Sequence, residues 1–208
     1  MNIINLDSVN STNTYCIDLI KQGKADLPMV VVAREQSAGR GRYGNSFYSP
    51  ADTGLYLSYA FSANYKVEDL LQITMVASAT LHRILSQHCN DELTIKWIND
   101  IYRSNRKIAG ILTECISDPK NPNSYYIIVG IGVNVCPNNI PSELSDVLGF
   151  LCDEKRDGLV DELAIEISDE LNKVFADPNA AVFPALVEYY KSECKNLPAD
   201  FSDELLDL

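Results

Sequence analysis

The segment Tyr125-Tyr-Ile-Ile-Val-Gly-Ile-Gly-Val-Asn-Val135 is an almost continuous run of apolar and β-branched residues, which predicts a buried strand. Two shorter apolar segments precede it, Leu93-Thr-Ile-Lys-Trp97 and Lys107-Ile-Ala-Gly-Ile-Leu-Thr-Glu114, and each of them also predicts a strand. Only turn-like segments, residues 103–106 and 118–124, separate the three. Because consecutive strands joined by short turns pair antiparallel, we predict an antiparallel sheet in the middle of the chain.

Helical and strand patterns continue on both sides of this region. Ser11 and Thr12 are candidate N-caps of a first helix that ends near Gly23. The other predicted elements are two strands, residues 29–33 and 54–61, and two helices, residues 67–88 and 159–175. Since the hydrophobic period alternates irregularly between two and 3.6, we predict an α+β fold with a mixed, largely antiparallel sheet and helices packed on one face.

The composition excludes several classes of protein. With 29 acidic and 17 basic residues among 208, the net charge of −12 argues against binding of nucleic acid or of an anionic membrane. No segment resembles a signal peptide or approaches the roughly 20 apolar residues that span a bilayer, so we predict a cytoplasmic protein. Six cysteines without a C-x-x-C pair and the isolated His82 and His88 predict neither disulfides nor a resident metal site.

The segment Gln36-Ser-Ala-Gly-Arg-Gly-Arg-Tyr-Gly44 has the densest functional signal. Its glycines allow a ligand to approach the backbone, and Arg40 and Arg42 offer charge to phosphate oxygens. It matches G-x-G-x-x-G, but a strand follows instead of a helix, so the dinucleotide-binding interpretation fails. The H-R-D, D-F-G and G-K-[ST] motifs of kinases and P-loop enzymes are absent. The alternative is a surface turn with two solvated arginines.

Two further segments, Lys96-Trp-Ile-Asn-Asp100 and Arg106-Lys-Ile-Ala-Gly110, predict a strand end, a turn and a return strand. If Lys107 and Ala109 face a ligand, the wall is mostly apolar with one cation, which suits a small apolar substrate with one anionic end. Alternatively, Lys96 and Lys107 are strand-edge charges that discourage aggregation.

Small and polar residues at two other places also indicate a ligand. Gly130 and Gly132 interrupt a strong strand, which predicts either a β-bulge or close approach of a ligand. Ser11, Thr12 and Asn13 can hydrogen-bond a polar ligand group from the start of a helix, although helix capping explains them equally well.

Taken together and in this order, the segments resemble the catalytic domain of biotin–protein ligases, also called biotin–[acetyl-CoA-carboxylase] ligases, over residues 5 to 190. The motifs that carry the resemblance are Ser-Thr-Asn at 11–13, Gln36 with Gly-Arg-Gly-Arg at 39–42, Lys-Trp-x-Asn-Asp at 96–100, Arg-Lys-Ile-Ala-Gly-Ile-Leu at 106–112 and Gly-Ile-Gly-Val-Asn at 130–134. The resemblance implies a fold like that of class II aminoacyl-tRNA synthetases. It also implies formation of biotinyl-5'-AMP from biotin and ATP, and transfer of biotin to a lysine of a biotin carboxyl carrier domain.

The resemblance also implies the residues of the site. Lys107, Arg42 and Asp100 would be catalytic, and Mg²⁺ would accompany ATP without a protein cage. Asp100 would orient or deprotonate the carrier amine. The implied substrate-binding and nucleotide-binding residues are Ser11, Thr12, Asn13, Gln36, Gly39, Arg40, Gly41, Arg42, Tyr56, Lys96, Asn99, Lys107, Gly110, Gly130, Gly132 and Asn134.

The chain departs from the family pattern at several places. Ile98 replaces the usual proline, and Asn45 and Phe47 replace a commonly basic residue and a commonly tryptophan position. We therefore expect a ligase domain over residues 1–190 without an N-terminal helix-turn-helix, and we expect residues 191–208 to be a short tail in place of the usual SH3-like domain. A homodimer and a monomer are equally compatible with the sequence.

Two other functions stay open at this point. Lipoate or octanoate ligases and transferases resemble this fold, although their Arg-Arg-x-x-Gly-Gly-Gly motif is absent. The chain could instead be a non-catalytic binder of biotin or biotinyl-adenylate.

Overall fold

The computed structural model describes residues 1–63, 69–118, 121–137, 140–144, 146–176, 182–199 and 201. Its strands are Asn2–Val9 (β1), Met29–Gln36 (β2), Gly54–Ala63 (β3), Leu93–Lys96 (β4), Asp100–Arg103 (β5), Arg106–Asp118 (β6) and Asn121–Asn134 (β7). Its α-helices are Thr12–Lys21 (α1), Leu70–His88 (α2), Leu159–Ala176 (α3) and Val182–Glu193 (α4).

The strands form a single sheet in the order β1-β2-β3-β7-β6-β5-β4. The longest strand, β7, lies at its centre and pairs antiparallel with both β3 and β6. Only β1 and β2 pair parallel, because α1 connects them. The prediction of an α+β fold with a mixed, largely antiparallel sheet is therefore confirmed.

The two faces of the sheet are covered differently. Helices α2, α3 and α4 pack on one face in the larger core, which includes Val30 and Tyr59. Cys16 of α1 packs with Val31 and Ala60 on the opposite face. The prediction that helices pack on one face thus holds for three helices but not for α1. Strand β2 buries consecutive residues, so both of its faces need a cover.

Several elements differ from the sequence prediction. We predicted that the return strand beginning near Lys107 pairs with the strand that ends at Trp97, but β5 lies between β4 and β6 and pairs with both. Four residues are too few for hydrophobic alternation to reveal β5. Helix α4 was not predicted, and α2 begins at Leu70, whereas residues 67 and 68 lie outside the described residues.

The C-terminal segment packs against residues Trp97 and Ile98, a contact that was not predicted from the sequence. Helix α4 continues past residue 190 to Glu193, and Tyr190 donates a hydrogen bond of 3.0 Å to the Ile98 carbonyl. The Trp97 and Phe201 rings are 5.5 Å apart. Residues 200 and 202–208 of the predicted tail lie outside the described residues, and a domain boundary at 190 stays a prediction. None of the described helices is long and apolar enough to cross a membrane.

Candidate active site

A cleft of about 260 Å³ lies on the face of the sheet that α1 covers. Strands β6 and β7 form its floor, the start of α1 forms one wall, and the segment from Arg40 to Phe47, called here the glycine loop, lies above it. The cleft brings together most of the predicted site residues: Ser11, Thr12, Asn13, Gln36, Arg40, Gly41, Arg42, Asn99, Asp100, Lys107, Gly110, Gly130 and Gly132.

Glycines make the floor of the cleft. Gly110 of β6 pairs directly with Gly132 of β7. The pairing of β7 with β3 and with β6 is regular at both Gly130 and Gly132, so the alternative of a β-bulge in β7 is wrong. A Cβ at position 132 would lie 2.5 Å from the Phe47 ring, and one at position 130 would overlap the Asn13 side chain. Both β7 glycines are therefore required, because they let the Phe47 ring and the Asn13 side chain lie close to the sheet.

A β-bulge in β6 places Lys107 at the cleft. Ile101 lies opposite Ala109 while Tyr102 lies opposite Lys107, so Ile108 is an extra residue without a partner in β5. The bulge interrupts the alternation of side chains between the two faces of β6. As a result, Lys107 lies on the same face of the strand as Gly110, the face that lines the cleft. The sequence left open whether Ala109 faces a ligand together with Lys107, and it does not: Ala109 is fully buried in the larger core.

The turn between β4 and β5 contributes the Asn99 amide to the site, and the first residue of β5 contributes the Asp100 carboxylate. Asn99 donates to the Ile111 carbonyl at 2.8 Å and accepts from the Arg42 guanidinium at 3.2 Å. Asp100 Oδ1 is buried and lies 2.6 Å from Lys107 Nζ, its one close polar partner in the described part of the chain. Lys107 is therefore not a strand-edge charge, because it forms an ion pair inside the cleft.

The two arginines of the glycine loop connect it to the rest of the protein through an ion pair and a hydrogen bond. Arg40 forms an ion pair of 2.6 Å with Glu114 of β6. Arg42 bonds to Asn99, and its guanidinium lies 4.9 Å from the centre of the Tyr43 ring. Both arginines therefore have partners in the protein, although the Arg40 side chain is 41% exposed. Three cations, Arg40, Arg42 and Lys107, face one small cleft, which suits an anionic ligand.

Hydrogen bonds also connect the loop to the start of α1. The backbone N–H of Thr12 donates to Gln36 Oε1 at 2.9 Å, and Gln36 Nε2 donates to Ser49 Oγ at 3.0 Å. Ser49 Oγ donates in turn to the Phe47 carbonyl at 2.9 Å. Both ends of the Gln36 amide are thus held by the protein, which fixes its orientation toward the cleft.

Helix capping and cleft contacts coexist at Ser11 and Asn13. Ser11 Oγ accepts a long hydrogen bond of 3.5 Å from the Thr14 N–H, so Ser11 is the N-cap of α1. Asn13 uses its side chain on the sheet: Nδ2 donates to the Leu112 carbonyl at 3.1 Å and to Glu114 Oε2 at 2.8 Å. Both amide hydrogens of Asn13 are therefore occupied by the protein.

Four of the predicted residues do not line the cleft. Gly39 lies below the glycine loop, where a Cβ would be 2.5 Å from the Phe47 carbonyl oxygen. Tyr56 is buried and donates to the Pro50 carbonyl at 2.9 Å, and burial raises the pKa of its hydroxyl to about 12. Lys96 Nζ lies 5.1 Å from the centre of the Tyr102 ring. Asn134 is buried and donates to the Gly149 carbonyl at 3.1 Å.

Sequence reasoning missed two polar residues on the cleft face, Glu114 and Ser58. Ser58 Oγ is fully buried and lies 2.5 Å from Asn13 Oδ1 and 2.7 Å from Thr12 Oγ1. The signal was present, since Glu114 lies two residues after Leu112 in a predicted strand and so shares its face. The partners of Glu114, which are far away in sequence, gave no such signal.

Comparisons with known proteins agree with this geometry. Residues 6–134 match the model of the biotin/lipoate A/B protein ligase family. The chain is 31% identical over 143 residues to the bifunctional ligase/repressor BirA of Salmonella typhimurium, covering 69% of this chain and 43% of that protein. It is 36% identical over 111 residues to a biotin--[acetyl-CoA-carboxylase] ligase of Paracoccus denitrificans, covering 50% of this chain and 43% of the relative.

Solved structures give the same result. The biotin protein ligase from Aquifex aeolicus in complex with biotin and ATP is similar with a TM-score of 0.73 and 28% identity, over 94% of this chain and 79% of that one. The matches to the two curated relatives span less than half of each relative's length. The family match covers more than half of this chain and contains every strand of the sheet except the first residues of β1. The chain belongs to the biotin/lipoate A/B protein ligase family.

Proposed function

We propose that the chain is an ATP-dependent biotin–protein ligase. It forms biotinyl-5'-AMP from biotin and ATP and then transfers biotin to a lysine of a biotin carboxyl carrier domain, of acetyl-CoA carboxylase or a similar enzyme. The observation that carries the proposal is the convergence of Arg40 and Arg42 of the glycine loop and Lys107 of β6 on a single glycine-floored cleft. The similarity to a ligase that binds biotin and ATP supports it.

The first half-reaction joins two anions. An oxygen of the biotin carboxylate attacks the α-phosphorus of ATP, a P–O bond forms, and pyrophosphate leaves. The repulsion between the reactants is offset by Arg40, Arg42 and Lys107, whose charges are already fixed around the cleft by their protein partners. Mg²⁺ enters with ATP as part of the substrate.

The second half-reaction transfers the acyl group. The carrier amine attacks the acyl carbon of the mixed anhydride, an amide bond forms, and AMP leaves. Asp100, at the cleft and paired to Lys107, accepts or orients the proton that the amine must lose. The glycine loop above the floor keeps water away from the reactive anhydride.

The two other functions have less support. The family includes lipoate enzymes, but the relative from Paracoccus denitrificans and the solved structure are biotin ligases. A non-catalytic binder needs an anion pocket but has no use for the Asp100 carboxylate beside Lys107. The proposal includes a cytoplasmic location, where ATP is present and the six free cysteines stay reduced. Monomer and homodimer both stay predictions, which analytical ultracentrifugation distinguishes.

The decisive experiment combines purified protein with biotin, ATP, Mg²⁺ and a biotin carboxyl carrier domain. We expect pyrophosphate release that depends on biotin, followed by biotin on the carrier lysine detected by mass spectrometry. Pyrophosphate release with lipoate or octanoate but not with biotin would identify the lipoate enzyme. Biotin binding with neither pyrophosphate release nor a modified carrier would identify a binder.

A further inference from the structure

Among the described residues of the sheet, Glu114 alone has a side chain that hydrogen-bonds both to the glycine loop and to the start of α1. Its Oε2 atom accepts from Arg40 NH2 at 2.6 Å and from Asn13 Nδ2 at 2.8 Å. The two partners are 74 and 101 residues away in sequence. Three segments of the cleft thus meet at a single carboxylate oxygen.

The position of Glu114 in β6 explains this contact. It lies two residues beyond Leu112, on the face that carries the cleft, and borders the cleft without lining its floor. Its side chain is 25% exposed and that of Arg40 is 41% exposed, so the pair is only partly screened by water. A carboxylate next to an anion-binding cleft repels an anionic ligand. We therefore expect Glu114 to have a structural role that offsets this repulsion.

The geometry of Arg40 indicates what that role is. Within the described part of the chain, the guanidinium makes a single side-chain hydrogen bond, through NH2 to Glu114. Since a guanidinium has five N–H donors, four are left for a ligand. Glu114 therefore orients the Arg40 side chain without consuming its capacity to bind an anion.

The glycine loop needs such an anchor. Gly41 and Gly44 give it high conformational entropy, and ordering that backbone on ligand binding costs affinity. Its own backbone bonds, such as Gly41 N–H to the Asn45 carbonyl at 2.7 Å, connect the loop to itself but not to the sheet. Beside the Arg42–Asn99 bond and the contact of Phe47 with Gly132, Glu114 supplies a charged connection to the sheet through Arg40.

We propose that Glu114 is a positioning residue: it fixes Arg40 and Asn13 and holds the glycine loop over the cleft before the ligand arrives. The consequence for catalysis rests on the proposed biotin-ligase function, whereas the consequence for the ligand-free loop does not. The two consequences are tested separately.

The matched control is Glu170→Gln. Glu170 forms an ion pair of 2.6 Å with Arg83, and the exposed fractions of the two side chains, 24% and 42%, almost equal those of Glu114 and Arg40. That pair joins α2 and α3 on the opposite face of the sheet. Glu170 also lies 3.3 Å from the exposed Lys173, so Glu170→Gln removes an ion pair of similar exposure and a second, exposed one, both away from the cleft.

The first test uses trypsin on the protein without ligand, because trypsin cleaves after Arg40 and Arg42. Mass spectrometry measures the rate of cleavage within the glycine loop. In Glu114→Gln we expect this rate to be roughly three to ten times that of the wild type, because one charge-assisted hydrogen bond that holds the loop is lost. Glu170→Gln should stay within about twofold of the wild type at this site. Equal acceleration in both variants, or in neither, would overturn the proposal.

The second test uses biotin-dependent pyrophosphate release. Glu114→Gln should raise the KM for biotin roughly five- to tenfold with kcat within about twofold, because pre-ordering affects binding more than chemistry. Glu114→Asp keeps the charge on a shorter stem and should recover part of the loss. In the double variant with Arg40→Gln, Glu114→Gln should add little, since its partner is already gone.

The outcomes separate the two proposals. If the wild type releases no pyrophosphate with biotin, the proposed function fails, but the trypsin experiment still decides the role of Glu114. If the wild type is active and Glu114→Gln changes kcat and KM no more than Glu170→Gln does, the positioning role is wrong. Should Glu114→Gln not fold, Glu114→Asp replaces it in both tests against the same control.

Discussion

Lys107 Nζ lies 2.6 Å from Asp100 Oδ1, and this ion pair joins two strands at the edge of the cleft. The side chains are 31% and 23% exposed, so the pair is accessible to a ligand. In the proposed mechanism, Lys107 acts on the biotin carboxylate and the phosphate, and Asp100 acts on the carrier amine. The residues proposed for the two half-reactions are therefore in direct contact.

Lys107→Ala tests the first half-reaction. We expect biotin-dependent pyrophosphate release to fall by about 10²- to 10³-fold, as when one group that stabilises developing charge is removed. Lys96→Ala is the comparison, because Lys96 is the other lysine of the predicted site but lies beside Tyr102 and outside the cleft. A loss in Lys96→Ala equal to that in Lys107→Ala would contradict the assignment of the cleft.

Asp100→Asn tests the second half-reaction. The amide keeps the size of the side chain but cannot accept a proton, so transfer to the carrier should slow by about 10²-fold while adenylation slows much less. Single-turnover measurements separate the two steps: pyrophosphate release reports the first, and carrier biotinylation from preformed adenylate reports the second. Unchanged transfer in Asp100→Asn would eliminate the role proposed for this carboxylate.

Gly132→Ala tests the close approach of the loop to the sheet. The new Cβ would lie 2.5 Å from Phe47 Cε1, so the ring and the glycine loop must move. We expect the KM for biotin to rise about tenfold, since the cleft is shaped by that contact. In a Phe47→Ala background the alanine at position 132 meets no ring, so it should raise the KM for biotin little beyond the effect of Phe47→Ala alone. Additive effects of the two substitutions would show that the Phe47 contact is unimportant.

Much of this site could be predicted from local pattern. The strand predictions near Gly54 and Tyr125 and the glycines of β7 follow from hydrophobic runs and their interruptions. Strict alternation then places Gly130 and Gly132 on one face, and the pairing with β6 adds Gly110. The floor of the cleft is therefore encoded within about 25 consecutive residues.

The rest depends on events that local pattern does not encode. The bulge at Ile108 reverses the alternation of β6, so Ala109 lies in the core, whereas the sequence left open whether it faces a ligand together with Lys107. Tyr56 lies on the correct face, but its hydroxyl turns to the Pro50 carbonyl beneath the loop. The bond from Arg40 to Glu114 joins segments that only the complete sheet brings together. Such contacts need the tertiary structure before they can be recognised.

The burial of His82 predicts how stability depends on pH. His82 lies on α2 with 3% of its surface exposed, and its Nδ1 atom is 2.9 Å from the Tyr189 hydroxyl. Burial lowers the pKa of the imidazole below its ordinary value of 6.5. The unfolded chain therefore takes up a proton near pH 6.5, whereas the folded chain does so only at lower pH.

Acid in this window should favour unfolding. Above about pH 6.5 the imidazole is neutral in both states and adds no pH dependence; below it, the unfolded state binds more protons and the free energy of unfolding falls. We expect urea midpoints measured from about pH 7 to about pH 5.5 to decline less in His82→Gln than in the wild type. His88→Gln is the control, because it removes the other imidazole of α2, which lies 2.9 Å from the Glu166 carboxylate and not beside Tyr189. A decline in His82→Gln as steep as in the wild type would assign the acid sensitivity to other groups.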